Sequence, residues 1–415
     1  MPGFAYPPAP AGDFAVRGTE PVPETKGGLR VALLMAGSCL PVLAAVLLAP
    51  GLPDLQDSFG TVPGAGTLVP LILTVPALAV ALPAPLAGVV IDRLGRKPLL
   101  VVATLLYAVF GTAPLWLDSL RAIVISRALL GVAEAIVITC CTTLIGDYWT
   151  GRVRDRYLAL QAVCATVSAT AFFILGGAMG ASDWRSPFQL YAVGLLLAPA
   201  MAVFLPARRP GTAADEEPVT GRRPSSAGRL LGICVLSVFG GLVFYTVPAE
   251  TAYLVNGLGV QSSGIIGLVT AIASAASVTG SVIFASMVGL PERRLPVIFL
   301  LCGAGFVAIG LAHDFAVLIL GTFLNCLGTG LLLPSLLTWA MSGLEYRNRG
   351  RGTGLWTASF FLGQFLGPLV LTFLESRTGG LPAAVGSLGL ASAAVAVVLL
   401  PLLRRPRPAQ QTGRP

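Results

Sequence analysis

Two ionisable side chains break an apolar stretch that begins near Ala122: Arg127, in Ser126-Arg127-Ala128-Leu129-Leu130-Gly131, and Glu134, seven positions on. On a helix, seven residues are two turns, which puts both on one face about 10 Å apart at ~1.5 Å per residue. An ionisable group in the middle of a membrane helix costs ~2.5 to 3.5 kcal/mol on insertion scales, so it is a functional candidate by default. A carboxyl such as Glu134 can carry a proton from one side of a membrane to the other. Arg127 can tune that carboxyl or meet an anionic substrate. The plainer reading bonds Arg127 to a backbone carbonyl and lets Glu134 cap a neighbouring helix. A second cluster, Phe244-Tyr245-Thr246-Val247-Pro248-Ala249-Glu250-Thr251-Ala252-Tyr253, sets Tyr245 and Glu250 around a proline that removes a backbone donor and opens carbonyls toward a cavity. Glu250 is expected in the outer half of the membrane, either as a gate or substrate contact or as an interfacial group. Asn325, Trp356 and Gln364 are further lining candidates, each with packing as its alternative role.

The elements that must hold these residues are membrane helices. With 55% hydrophobic and 11% charged residues over 415 positions and a mean hydropathy of +0.83, the chain is too apolar for a soluble domain, whose charged share is about 25%. Twelve apolar runs begin near Leu29, Leu68, Pro98, Ala122, Tyr157, Pro187, Arg229, Gly264, Leu295, Phe315, Arg351 and Leu381, and about 20 such residues cross a bilayer as a helix. The runs are continuous rather than alternating, which excludes a spanning barrel. No small-residue cleavage site follows the charges ahead of the first run, so that run is expected to stay as a helix rather than act as a signal peptide.

Charge sets the expected orientation. With the amino terminus inside, Arg121, Arg127, Arg185 and Arg377 are the only ones of 27 Lys and Arg that fall outside the cytoplasmic segments, as basic residues near helix ends require. Both termini are then cytoplasmic in a multi-pass protein of the cell inner membrane. The net charge of +8 reports topology, and no nucleic-acid partner is expected, because no basic patch is interleaved with aromatics. Polar, Pro- and Gly-rich stretches delimit a disordered cytoplasmic amino terminus (1–28), six runs (29–206), a cytoplasmic linker (207–228), six more runs (229–403) and a cytoplasmic tail (404–415).

The chain has little raw material for catalysis. Cys39, Cys140, Cys141, Cys164, Cys234, Cys302 and Cys326 all fall in apolar runs without metal or redox spacing, and His313 is the single histidine. A phosphate-cradling glycine loop is missing as well, which argues against an ATPase or hydrolase and leaves an ion gradient to drive any uphill step. No cofactor and no metal are expected, and the chain is read as a monomer.

The two halves repeat. A shift of 195 superimposes Arg152, Arg154 and Arg156 on Arg347, Arg349 and Arg351, a mark of many secondary transporters. The loop after the second run, Gly88-Val89-Val90-Ile91-Asp92-Arg93-Leu94-Gly95-Arg96-Lys97-Pro98, resembles that between the second and third helices of the major facilitator superfamily. Gly88, Asp92, Arg93, Gly95, Arg96, Lys97 and Leu100 match its pattern, with Val90 where the family has leucine. The Arg127-x-x-x-Gly131 spacing is similar to a fourth-helix pattern of the family linked with proton coupling.

The resemblance implies an all-α integral membrane protein, with twelve transmembrane helices in two pseudo-symmetric six-helix bundles around a cavity lined by helices one, four, seven and ten. It implies that Asp92 sits against the start of helix eleven and that Arg96 reaches Asp147, together forming a cytoplasmic latch with Gly88, Arg93, Gly95 and Lys97. The activity implied is proton-coupled efflux of a small organic or amphiphilic compound, with Glu134 and Arg127 coupling protons and with Tyr245, Glu250, Asn325, Trp356 and Gln364 meeting substrate. Helix five departs from the exporters' G-P-x-x-G-G signature: Gly176-Gly177 remain, while Gly-Pro stands instead at Gly367-Pro368. Proton symport of a small organic acid or sugar, and a non-transporting sensor or assembly protein on the same fold, are the alternatives.

Overall fold

In lipid every backbone N–H and C=O must be paired within the protein, so apolar runs of this length fold as helices. The computed structural model describes residues 24–84, 95–206, 227–287, 290–342 and 349–401. Gly88, Asp92, Arg93, most of the expected linker and the tail lie outside them. Among the described residues, twelve helices cross the molecule: α1 Glu24–Val46, α2 Ala65–Ala81, α3 Arg96–Thr112, α4 Leu120–Tyr148, α5 Gly151–Gly180, α6 Val193–Phe204, α7 Ala227–Gly257, α8 Ser263–Ser286, α9 Leu295–Gly310, α10 Phe315–Ser342, α11 Arg349–Thr378 and α12 Leu381–Leu399. A 3-10 segment, Ser186–Ala192, lengthens α6, and a short helix, Leu52–Ser58, follows α1. Ten spans are long and apolar enough to cross a membrane, and α2 and α9 are shorter apolar helices.

Helix pairing repeats with a shift of six. The pairs α1–α5, α2–α4, α3–α4 and α3–α6 of the first half recur as α7–α11, α8–α10, α9–α10 and α9–α12 of the second. Between lipid-bathed helices the attraction is mostly close packing, which small residues permit. Gly131 of α4 lies on the backbone of Pro76 in α2, and Gly330 of α10 lies on that of Ser277 in α8, in corresponding helix pairs of the two halves. Each half has its own hydrophobic core, one built largely from α1 to α6 and the other from α7 to α12.

The halves meet along two seams, α5 against α8 and α2 against α11. Arg96 of α3 pairs with Asp147 of α4 and Tyr148 bonds the Pro206 carbonyl at 2.9 Å, which places these ends on one side, here the Arg96 end. At the opposite end Ser263 donates to Asp54 across the seam, and Gly177 of α5 lies on Gly267 of α8. The chain is therefore sealed at the Asp54 end. From mid-depth to the Arg96 end the halves part around a cavity.

Candidate functional site

The cavity encloses about 530 Å³, the size of a drug-like ligand. Its walls come from α1, α4, α7 and α10, as expected, and also from α2, α5, α8 and α11. The second four are not among the expected lining helices, because they form the seams and their small lining residues, such as Ala162 and Ala169, carry no chemical signal. Toward the Arg96 end the lining residues Thr142 and Ala162 are exposed, while at the blind end Glu134 and Tyr245 are buried.

Most of the lining is apolar, and its few polar groups are held in place. Gln161 of α5 donates to Ser38 of α1 at 2.8 Å and to Thr142 of α4 at 3.1 Å. Pro334 interrupts α10 and has no N–H for the Gly330 carbonyl one turn back. Ser281 of α8 supplies that donor at 3.1 Å. Gln161 was legible as a lone amide in an apolar run but was not singled out. Gln364, which was, lines the cavity on α11.

Glu134 closes the cavity on the α4 side. It is 5% exposed, and its Oε1 has no hydrogen-bond partner among the described residues. Opposite it, the Tyr245 hydroxyl of α7 donates to the Ala45 carbonyl, one of the last carbonyls of α1, which have no partner within their own helix. That bond ties one half to the other at the base of the cavity. Replacing Tyr245 with phenylalanine removes about 1 kcal/mol from the sealed state, a factor of about five in population. Spin-label distances across the Asp54 end should broaden toward longer values, and an unchanged distribution would count against a sealing role.

Arg127 is turned away from the cavity. Its Nη2 donates to the carbonyls of Phe110 and Gly111, both at 2.8 Å, at the end of α3 where carbonyls lack helical partners. The guanidinium lies over Phe188 and Tyr191 at 5.2 and 4.9 Å. The plainer sequence reading, a backbone-carbonyl contact, thus describes its geometry. Removing a charged donor of this kind costs ~1.5 to 3 kcal/mol per bond, so Arg127→Ala should lower the melting temperature clearly in a thermal-shift assay. Equal stability would show that the contacts contribute nothing.

Other expected lining residues lie elsewhere. Asn325 is fully buried between α10 and α9, donating to the Cys302 carbonyl at 3.1 Å, because Gly305 and Gly321 bring these helices into contact around it. Trp356 stacks on Phe360 at 5.4 Å and belongs to the second core. Glu250 is buried, two residues past Pro248 toward the Asp54 end, and is not among the residues lining the cavity. At the Arg96 end, Gly95 starts α3 with φ +84, a left-handed turn that suits glycine, and Lys97 follows Arg96 in the first turn of α3. The Arg96–Asp147 pair lies within one half. Of the remaining latch residues, Gly88, Asp92 and Arg93 are outside the described residues.

Comparison with known proteins agrees with this architecture. A sequence profile described as Major Facilitator Superfamily matches residues 34–264 and 230–415. The chain is similar to Multidrug resistance protein 1 of Bacillus subtilis (24% identity over 362 residues, 83% of this chain and 89% of that one). It is also similar to the class G tetracycline resistance protein of Vibrio anguillarum (27% over 401 residues, 91% and 97%). Among solved structures, a D-xylose-proton symporter superimposes with a TM-score of 0.73 at 13% identity, covering 90% of this chain and 97% of that one.

Proposed function

The chain belongs to the major facilitator superfamily and is a membrane transporter rather than an enzyme, and from that premise we propose that it exports a small amphiphilic organic compound in exchange for protons. The observation that carries the reading is the apolar cavity between the halves ending on a buried, unpaired carboxyl, Glu134. Apolar walls with a few fixed polar groups suit an amphiphile better than a sugar. The turn of Arg127 toward the α3 carbonyls takes from the cavity the cation that an organic-acid importer would use. Similarity to a multidrug resistance protein and to a tetracycline resistance protein supports the outward direction.

In this reading the Arg96 end faces the cytoplasm of a cell inner membrane, with both termini on that side, because Arg96, Lys97, Arg152, Arg154, Arg156, Arg293 and Arg294 gather there. The sealed Asp54 end faces out. Substrate enters from the cytoplasm, the halves rock, and a proton arriving from outside neutralises Glu134 and resets the carrier. Asp92, with Gly88, Arg93, Gly95, Arg96, Lys97 and Asp147, closes the cytoplasmic side in the opposite state. Tyr245 and Gln364 meet substrate, while Glu250 serves the outer half once the seal opens. The protein works as a monomer, since each chain carries a whole cavity. Inverted membrane vesicles test the direction: an acid interior should drive accumulation of fluorescent cationic dyes or tetracycline, and uptake driven by the opposite gradient would overturn export.

A further inference from the structure

Four buried polar atoms of the first half have no hydrogen-bond partner and share one neighbourhood: Nε and Nη1 of Arg127, the Tyr191 hydroxyl and Oε1 of Glu134. Tyr191, on the 3-10 segment leading into α6, is fully buried. Its ring lies 4.9 Å from the Arg127 guanidinium carbon and 5.5 Å from the ring of Tyr107 on α3. Its hydroxyl faces the Arg127 side chain as a hydrogen-bond acceptor and is within electrostatic reach of Glu134. Helical side chains tilt toward the helix amino terminus, so Glu134 leans toward the turn that carries Arg127 while Arg127 leans on to the α3 carbonyls, which leaves the space between them to Tyr191.

The titratable groups within reach of Glu134 are Arg127, Tyr107, Tyr191 and Tyr245. The Tyr107 hydroxyl is committed to the Leu40 carbonyl at 2.6 Å, and that of Tyr245 is committed to Ala45. Among these tyrosines only Tyr191 keeps its proton uncommitted. Each buried polar atom left unpaired costs ~1 to 3 kcal/mol, and four together are satisfied most cheaply by internal water, which takes 2 to 4 polar partners.

We propose that the Tyr191 hydroxyl and internal water join Glu134 to Arg127 in one hydrogen-bonded network, making Tyr191 a positioning residue for the proton that Glu134 exchanges. The inference rests on the coupling role given to Glu134 above. The Tyr191 O–H, directly or through water, donates to the carbonyl oxygen of the protonated acid, and when the carboxyl releases its proton toward the cavity that bond and the unused N–H groups of Arg127 hold the carboxylate. No proton leaves Tyr191 for good and none leaves Arg127. The charge of the released state is met from behind, inside the first half, and the cavity stays free for substrate.

The test is Tyr191→Phe in the purified full chain, read by infrared difference spectra between acid and alkaline pH. The carboxyl C=O band of Glu134 is assigned by its loss in Glu134→Gln. Loss of a hydrogen-bond partner raises the C=O stretching frequency, so the band should move up in Tyr191→Phe and the pH profile of flux should shift, while substrate exchange without a gradient is kept. An idle hydroxyl predicts something else: deleting an unpaired buried oxygen would leave band and profile unmoved and hold or raise stability, and that result overturns the network. Should Tyr191→Phe not fold, Arg127→Lys, which keeps the charge but loses Nε and Nη1, should move the same band, and an unmoved band there overturns it equally. A Glu134→Gln protein that still moves substrate against a pH gradient would overturn the coupling role itself. A silent Tyr191→Phe beside a dead Glu134→Gln would overturn only the network.

Discussion

Replacing Glu134 with glutamine is expected to reduce pH-driven flux to the level of protein-free liposomes while leaving the protein folded and able to bind substrate. Glutamine keeps the size and polarity of the protonated acid and removes its ability to ionise. Among the described residues Glu134 makes no ion pair and its Oε1 has no hydrogen-bond partner, so the change breaks no contact described there. A purely structural role therefore predicts little loss of stability, within ~1 kcal/mol. Coupling predicts a dead carrier with an intact melting curve. The measurement is proton uptake by an entrapped pH dye together with substrate flux, beside a binding assay at fixed pH. Flux that survives within about twofold would remove the proposed engine, because proton transfer by a positioned group is worth far more than that.

The second large effect comes from two glycines that look alike in sequence and differ in where they sit. A Cβ on Gly177 would lie 2.6 Å from the Ser263 carbonyl oxygen and 2.8 Å from the Gly267 Cα, both across the seam. Leucine there fits only if α5 and α8 part at the Asp54 end, so Gly177→Leu should populate the state open at that end. Labelling of a Thr270→Cys probe, buried on the α8 wall of the cavity, by a membrane-impermeant thiol reagent added at the Asp54 end should quicken about tenfold or more, since overpacking costs ~1 to 3 kcal/mol. A Cβ on Gly363 would strike the Val238 backbone, which belongs to the same half, and opening either end gives no relief. Gly363→Ala should therefore lower the melting temperature without changing the labelling rate. If both variants lower stability and neither changes labelling, the α5–α8 contact is not the seal.

The positions of the helices were readable because a lipid span needs a minimum apolar length. Run starts inferred at Ala122, Gly264, Leu295, Phe315 and Leu381 fall within two residues of the starts of α4, α8, α9, α10 and α12. The start near Tyr157 came six residues late, since α5 begins at Gly151 and its first turns carry Arg152, Arg154 and Arg156. A charged first turn belongs to the helix but not to its apolar span. The twofold repeat of packing was also foreshadowed, by the arginine triplets 195 residues apart.

The direction in which a polar side chain points was much harder to read. Glu134 and Gln364 reach the cavity, whereas Asn325 and Trp356 pack into the second half and Arg127 caps α3. One helix face can meet a cavity or a neighbouring helix, and periodicity cannot separate these when all twelve helices are apolar nearly all round. The relevant cue for Asn325 is Gly321, one turn earlier, which marks a close approach rather than a lining surface. For Arg127 it is the partner on α3, which no local pattern shows.

The seal at the Asp54 end bears on pharmacology. In this conformation the pocket can be reached only from the side where α3 begins, so with the orientation proposed above an inhibitor added to intact cells must cross the bilayer before it can compete. Among compounds of equal affinity, potency on cells should rank by membrane permeability, and that ranking should vanish in inverted vesicles.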